Sequence, residues 1–241
     1  MSCVFITGAT SGIGRQLAID YANAGWMVVA CGRNQSCLSE LSRLSPVIQT
    51  LCFDMTELRA IKEQVAQMQC SPELWILNAG DCEYIDHGKI DAALIKRVFD
   101  TNVIGLANTL EAIQPYFSTG DRVAIVGSIA SEVALPRAEA YGASKAAVSY
   151  LARSLALDLK PYGIKISTIY PGFVKTPLTD KNTFSMPFLV SPEKASKCIQ
   201  RGLEKGKETI YFPTRFTSML RFLGALPYFL QRKLTAQLTS R

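Results

Sequence analysis

Seven short apolar runs, Val4–Ile6, Met27–Ala30, Val47–Phe53, Leu74–Leu77, Arg122–Val126, Lys165–Tyr170 and Thr209–Phe212, recur along the chain with amphipathic stretches between them. Several lack the polar alternation of a strand with one wet face, so both of their faces must be covered. Parallel strands joined by crossover helices satisfy that demand. Helices are predicted over 14–24, 36–44, 57–69, 90–112, 139–160 and 192–204. Ser191-Pro192-Glu193 gives the last of these an N-cap, a proline at the first helical position and an acid beside the positive helix end. The expectation is an α/β chain with one doubly wound parallel sheet over 1–212 and a helical tail over 213–241.

Composition narrows the class further. Apolar residues make up 48% and charged residues 19% of 241, enough for one large core and too little charge for a disordered chain. Val4-Phe5-Ile6 runs straight into Thr7-Gly8, so a secretory leader is not expected. The seven cysteines (Cys3, Cys31, Cys37, Cys52, Cys70, Cys82 and Cys198) form no CxxC pair and read as reduced, mostly buried thiols of a cytoplasmic protein, with no metal site. His87 is the only histidine, which excludes any relay that needs a His pair and reads as a loop residue. The net charge of +6 is concentrated at the end: Arg215, Arg221, Arg232, Lys233 and Arg241 follow Thr209 without an acid. The rest is close to neutral, so nucleic acid is not an expected partner.

The first strand leads into Thr7-Gly8-Ala9-Thr10-Ser11-Gly12-Ile13-Gly14 and then a helix. Glycines at 8, 12 and 14 permit a tight turn and let a pyrophosphate approach the backbone. The free amides at the helix start favour negative charge. A strand, glycine turn and helix in this order point to a Rossmann-like dinucleotide site. Such sites usually place an acid at the end of the second strand to hold ribose hydroxyls, but here the strand ends Cys31-Gly32-Arg33-Asn34. Arg33 instead offers a planar fork of donors for a 2′-phosphate, which favours NADP(H) over NAD(H). Asp54 after the third strand and Asn78-Ala79-Gly80 after the fourth are further candidates, although both are also ordinary turn formers.

Tyr141-Gly142-Ala143-Ser144-Lys145 puts a phenol and an ammonium four residues apart on one helix face. A free tyrosine has a pKa of about 10, and a neighbouring cation lowers it toward useful acid–base chemistry. Ser128 follows the fifth strand. Ile90, Leu94 and Val98 step by four toward Asn102, which brings that amide to the same sheet edge. Pro171-Gly172-Phe173-Val174-Lys175-Thr176 follows the sixth strand and is placed to close over a bound ring.

With TGATSGIG, NAG, Asn102, Ser128, YGASK and PGFVKT in order, the chain resembles the short-chain dehydrogenase/reductase family over about residues 3 to 212. The resemblance implies roles. Tyr141 is the expected general acid in reduction, Ser128 the donor to the substrate oxygen, Lys145 the ribose contact that depresses the tyrosine pKa, and Asn102 the support of a water path. Gly8, Ser11, Gly12, Ile13 and Gly14 line the coenzyme turn. Asp54, Asn78, Ala79 and Gly80 lie toward adenosine, and Pro171, Gly172, Val174 and Thr176 toward the carboxamide. The resemblance also implies pairing through the helices that carry Asn102 and Tyr141, giving a homodimer or homotetramer. The family's paired asparagines before Ala-Gly are Leu77-Asn78 here, and the tail departs from the family.

Phe216, Met219, Leu220 and Leu223 form an apolar stripe with Arg221 opposite, and Pro227 separates it from a second helix through Leu230, Leu234 and Leu238. Arg221 to Arg232 encloses ten uncharged residues, short of the roughly 20 needed to span a bilayer. Packing on the domain or a sister subunit, lying on an anionic membrane, and roofing the substrate cleft all remain open for this tail. The expected activity is NADPH-dependent reduction of an apolar ketone or aldehyde, with the apolar segment Phe184–Val190, inside a longer loop 176–190, as a lid. The alternative, a dinucleotide sensor or scaffold without turnover, has no need of the Tyr-Lys-Ser-Asn set. A sugar-nucleotide epimerase would want a larger C-terminal region.

Overall fold

The computed structural model describes residues 1–180, 182 and 184–239, with the backbone alone for 237–239. Lys181 and Thr183 of the expected lid, the Leu238 side chain and Arg241 therefore lie outside the described residues. The strands are β1 (Cys3–Thr7), β2 (Met27–Gly32), β3 (Ile48–Cys52), β4 (Leu74–Leu77), β5 (Arg122–Val126), β6 (Lys165–Pro171) and β7 (Thr209–Phe212). They form a single sheet in the order β3-β2-β1-β4-β5-β6-β7, and every pairing is parallel. The direction of winding reverses between β1 and β4, and the loops leaving those strands diverge to open a crevice.

Helices cover both faces: α1 (Gly12–Asn23), α2 (Gln35–Leu44), α3 (Leu58–Val65), α4 (Ala92–Phe99), α5 (Gly105–Ile113), α6 (Glu139–Leu159) and α7 (Pro192–Glu204). Strand alternation divides the core between them. Val4, Ile6, Val28 and Ala30 pack with Leu17 of α1 and Ile199 of α7, while Phe5, Val29 and Trp75 pack with Ile113 of α5 and Val148 of α6. The Trp75 indole donates to Asp121 at 3.2 Å, so the largest core side chain carries no stranded polar atom. Ser191 caps α7 as expected, accepting from the Lys194 amide at 3.3 Å.

Three expectations change. The helix expected over 57–69 stops at Val65, because the next residues turn to bond Gln49: its side chain donates to the Gln67 carbonyl at 2.7 Å and accepts from the Gln69 amide at 2.9 Å. The helix expected over 90–112 starts at Ala92, where Asp91 caps the Leu94 amide at 3.0 Å and leaves Ile90 exposed outside it. Its middle, Asp100–Ile104, is a π-helical turn joining α4 to α5. The cysteines are also not all reduced and mostly buried. Cys3 and Cys70 form a disulfide across 67 residues, since the segment before β4 runs back beside β1, with the Glu73 amide on the Cys3 carbonyl. Of the remaining thiols, Cys31 and Cys82 are buried and Cys37, Cys52 and Cys198 are half-exposed.

The tail forms α8 (Thr214–Ala225) and α9 (Tyr228–Thr239). Phe216, Leu220 and Leu223 of α8 bury themselves against Ile129 and Val133 in the segment after β5. Met219, expected on that stripe, is exposed, and Thr217 takes the buried place with its hydroxyl returned to the Pro213 and Thr214 carbonyls. Among the described residues, no helix is long and apolar enough to cross a membrane.

Candidate active site

A cleft of about 310 Å³ opens above the carboxyl ends of β1, β4, β5 and β6. Thr7 and Asn78 set its floor. The Thr7 hydroxyl accepts from the amides of Asn78 and Ala79 at 3.0 and 3.1 Å, and the Asn78 side chain donates to the Thr7 carbonyl at 3.1 Å. These bonds lock the loops after β1 and β4 together at the point where the winding reverses.

The turn between β1 and α1 is built for close approach. Gly8 has φ +67°, and Gly14 meets it so closely that an added Cβ would lie 2.3 Å from the Gly8 carbonyl oxygen. A Cβ on Gly12 would press on Thr176 at 2.7 Å, from the opposite wall. Gly8, Ser11, Gly12 and Ile13 face the cleft, whereas Gly14 lies beneath it as packing. Ser11 precedes α1 with extended backbone and its hydroxyl caps no helix amide, so the first turn presents its positive end to the cleft. A floor that admits no Cβ and a helix start aimed into the opening fit a pyrophosphate-bearing group.

Arg33 and Asp54 line the end of the cleft by β2 and β3. Asp54 accepts from the Thr56 amide at 2.9 Å and the Thr56 hydroxyl at 2.8 Å; these bonds and the Arg33 charge hold its carboxyl below the usual range. Asn78, Ala79 and Gly80 line the middle, and Pro171, Gly172, Val174 and Thr176 the wall after β6.

At the other end, Ser128, Tyr141 and Lys145 come together. Ser128 follows β5 with its side chain at the cleft, and its hydroxyl bonds the Tyr141 phenol. Lys145, buried one turn along α6, donates to the Val126 carbonyl at 3.0 Å and stands 5.9 Å from the centre of the Tyr141 ring. Burial strips water from both groups. It pushes the Tyr141 phenol well above its usual value of 10, with Cys82 acting in the same sense and Ser128 against it, and brings Lys145 down to about 8. Desolvation is the largest cause of the phenol's shift, and the Ser128 bond opposes it.

Asn102 does not line the cleft. It sits buried in the π-helical turn, where its side-chain oxygen accepts from the Asp81 amide at 2.7 Å and its nitrogen donates to the Asp81 carbonyl and the Ser144 hydroxyl at 2.8 and 2.9 Å. A Cβ on Gly80 would lie 3.1 Å from the Asn102 oxygen and 3.2 Å from Lys145 Nζ, so the amide and the ammonium converge over that glycine.

Several neighbours carried no signal in the sequence. Thr7 reads only as the first residue of the glycine turn. Cys82 and Tyr84 belong to an irregular segment without periodicity, yet Cys82 influences both Tyr141 and Lys145, and Tyr84 lies near enough to Tyr141 to feel its charge. Tyr84 meets Phe184 edge-on at 5.5 Å, and Phe184, Phe173, Phe188 and Phe216 continue as an aromatic chain with centroids 5.5 to 6.0 Å apart. The loop expected as a lid is clasped at its base by a bridge between Val174 and Val190. Among the described residues no group of three or more His, Cys, Asp or Glu side chains could hold a metal ion.

A dinucleotide cradle on a doubly wound sheet, joined to a Ser-Tyr-Lys cluster, defines a class of oxidoreductases, and the chain belongs to it: the short chain dehydrogenase family matches residues 2–186. It is a dehydrogenase/reductase enzyme. An uncharacterized oxidoreductase of Myxococcus xanthus is 33% identical over 231 residues, covering 92% of this chain and 91% of that one. Sulfoacetaldehyde reductase 2 of Chromohalobacter salexigens is 33% identical over 73% of this chain and 74% of its own. A short chain dehydrogenase from Burkholderia cenocepacia, solved with NADP, superposes with a TM-score of 0.86 over 100% of this chain and 98% of that one at 23% identity.

Proposed function

We propose that the enzyme reduces an apolar ketone or aldehyde to an alcohol with NADPH, using Tyr141 as the proton donor. The observation that carries this reading is the grouping of Ser128, Tyr141 and Lys145 at one end of the cleft, with the Lys145 amine 5.9 Å from the centre of the Tyr141 ring. Ser128 and Tyr141 are placed to hold one carbonyl oxygen between two hydroxyl donors, which polarises the carbonyl carbon. The reduced nicotinamide, when bound, supplies the hydride that this carbon accepts. As negative charge grows on the oxygen, Tyr141 transfers its proton there and becomes a phenolate, which the Lys145 ammonium stabilises. Asn102 keeps Asp81, and with it the loop after β4, from shifting beneath that ammonium.

On the coenzyme side, Gly8, Ser11, Gly12 and Ile13 would receive the pyrophosphate, Asp54 and Asn78–Gly80 the adenosine half, Lys145 the nicotinamide ribose, and Pro171–Thr176 the carboxamide. Arg33 stands where an acid would otherwise hold the ribose hydroxyls, which supports NADPH over NADH. The aromatic chain from Tyr84 to Phe188 supports an apolar substrate, and the exposed Ile104, Tyr150 and Leu157 on the outer faces of the π-helical turn and α6 support pairing of subunits there.

A panel of carbonyl compounds run with NADPH and NADH tests the reading. Tyr141→Phe should bind the coenzyme as the wild type does and lose turnover by about 10²- to 10⁴-fold. Arg33→Ala should weaken NADPH and leave NADH unchanged. Coenzyme binding without turnover across the panel would overturn the assignment.

A further inference from the structure

Packing on the segment after β5 accounts for the inner face of α8 but not for the outer side of the tail. Phe222, Tyr228 and Phe229 are 70, 72 and 67% exposed, an unusual outlay of large apolar surface in so short a stretch. The Gln231 side chain ties α9 back to the end of α8, donating to the Gly224 and Leu226 carbonyls at 2.9 and 2.7 Å, and Gln231 and Thr235 are half-buried. Along α9, Tyr228, Phe229, Arg232 and Lys233 are all exposed, and at 100° per residue they share one arc of about 140°, each cation one turn beyond an aromatic ring. Arg215 adds charge at the start of α8, and no acid follows Thr209 anywhere in the sequence.

We propose that this face docks on an anionic lipid surface, with Tyr228, Phe229 and Phe222 entering the headgroup layer and Arg232, Lys233 and Arg215 meeting lipid phosphates. Charge complementarity selects this occupant. A second copy would bring the same acid-free surface against itself, while an anionic bilayer offers the missing negative charge and an apolar layer for the rings. The helix lies along the surface, because its 12 residues are too few to cross a bilayer. The inference stands whatever the substrate.

Full-length protein is sedimented with phosphatidylcholine vesicles containing roughly one part in three phosphatidylglycerol, and with phosphatidylcholine alone. The expected result is salt-sensitive pelleting with the anionic vesicles only. Phe222→Ser with Tyr228→Ser and Phe229→Ser, and separately Arg232→Gln with Lys233→Gln, should each reduce binding by about tenfold or more, at roughly fivefold per cation removed. Thermal unfolding and coenzyme binding check that each variant folds. Wild type remaining in the supernatant, equal pelleting of both variants, or a loss of oligomeric mass in the variants without lipid would each overturn the proposal.

Discussion

Tyr141 and Lys145 stand one helical turn apart, and burial moves their proton affinities in opposite directions. The ammonium has the clearer thermodynamic consequence. Below pH 8 it is charged in both folded and unfolded chains, so the cost of burying it is constant. Between about 8 and its ordinary value of 10.5 the unfolded chain binds the extra proton, so rising pH stabilises the folded state. Lys145→Met removes this dependence. Thermal unfolding from pH 7 to 10 should show the wild type gaining on the variant as pH rises, and a constant difference would count against the buried cation. The pairing itself was legible, because a phenol and an amine four apart in a helix must share a face. The sign of the phenol's shift was not, since it depends on how much water the surrounding loops exclude.

The π-helical turn is where one element carries more than its sequence discloses. An extra residue wound into a helix changes neither composition nor the apolar step from Leu94 to Val98, so the sequence pointed to Asn102 without showing how it is displayed. The turn lets one side chain clamp the Asp81 backbone from both sides and still reach Ser144. Asn102→Ala removes the mates of the part-buried Asp81 amide and carbonyl, while Ser144 keeps its bond to the Tyr141 carbonyl, at about 1–3 kcal/mol for an unsatisfied group. Urea unfolding should register that loss, and turnover should fall more than coenzyme affinity. Similar reasoning explains Met219 and Thr217. The apolar stripe of α8 was visible, but a threonine that bonds its own helix packs like an aliphatic side chain, which composition alone does not reveal. The disulfide had no signal either, because Cys3 and Cys70 meet only through the path of the chain before β4.

For the molecule as a whole, seven apolar runs, several without alternation, sufficed to anticipate a covered parallel sheet, and the glycine turn marked where its winding reverses. What they did not anticipate is that the tail completes the core. Phe216, Leu220 and Leu223 cover Ile129 and Val133, within a few residues of Ser128. A chain ending after Leu226 keeps that cover and should fold and bind coenzyme. One ending after Phe212 bares it, and should aggregate or lose turnover. Size-exclusion chromatography and coenzyme titration of the two truncations would distinguish these outcomes, and equal behaviour would show that α8 is dispensable.

The clasp between Val174 and Val190 carries a different implication. It ties the two feet of the intervening loop to one post, Lys175 bonding the Val190 carbonyl and Val190 the Phe173 carbonyl. The chain between those feet can then lengthen, shorten or change character with little strain on the catalytic wall, since closing a longer loop adds cost only slowly. Under the proposed function, choice of substrate would thereby be uncoupled from the reaction, and drift in the loop would retune what enters without disturbing the wall that holds it.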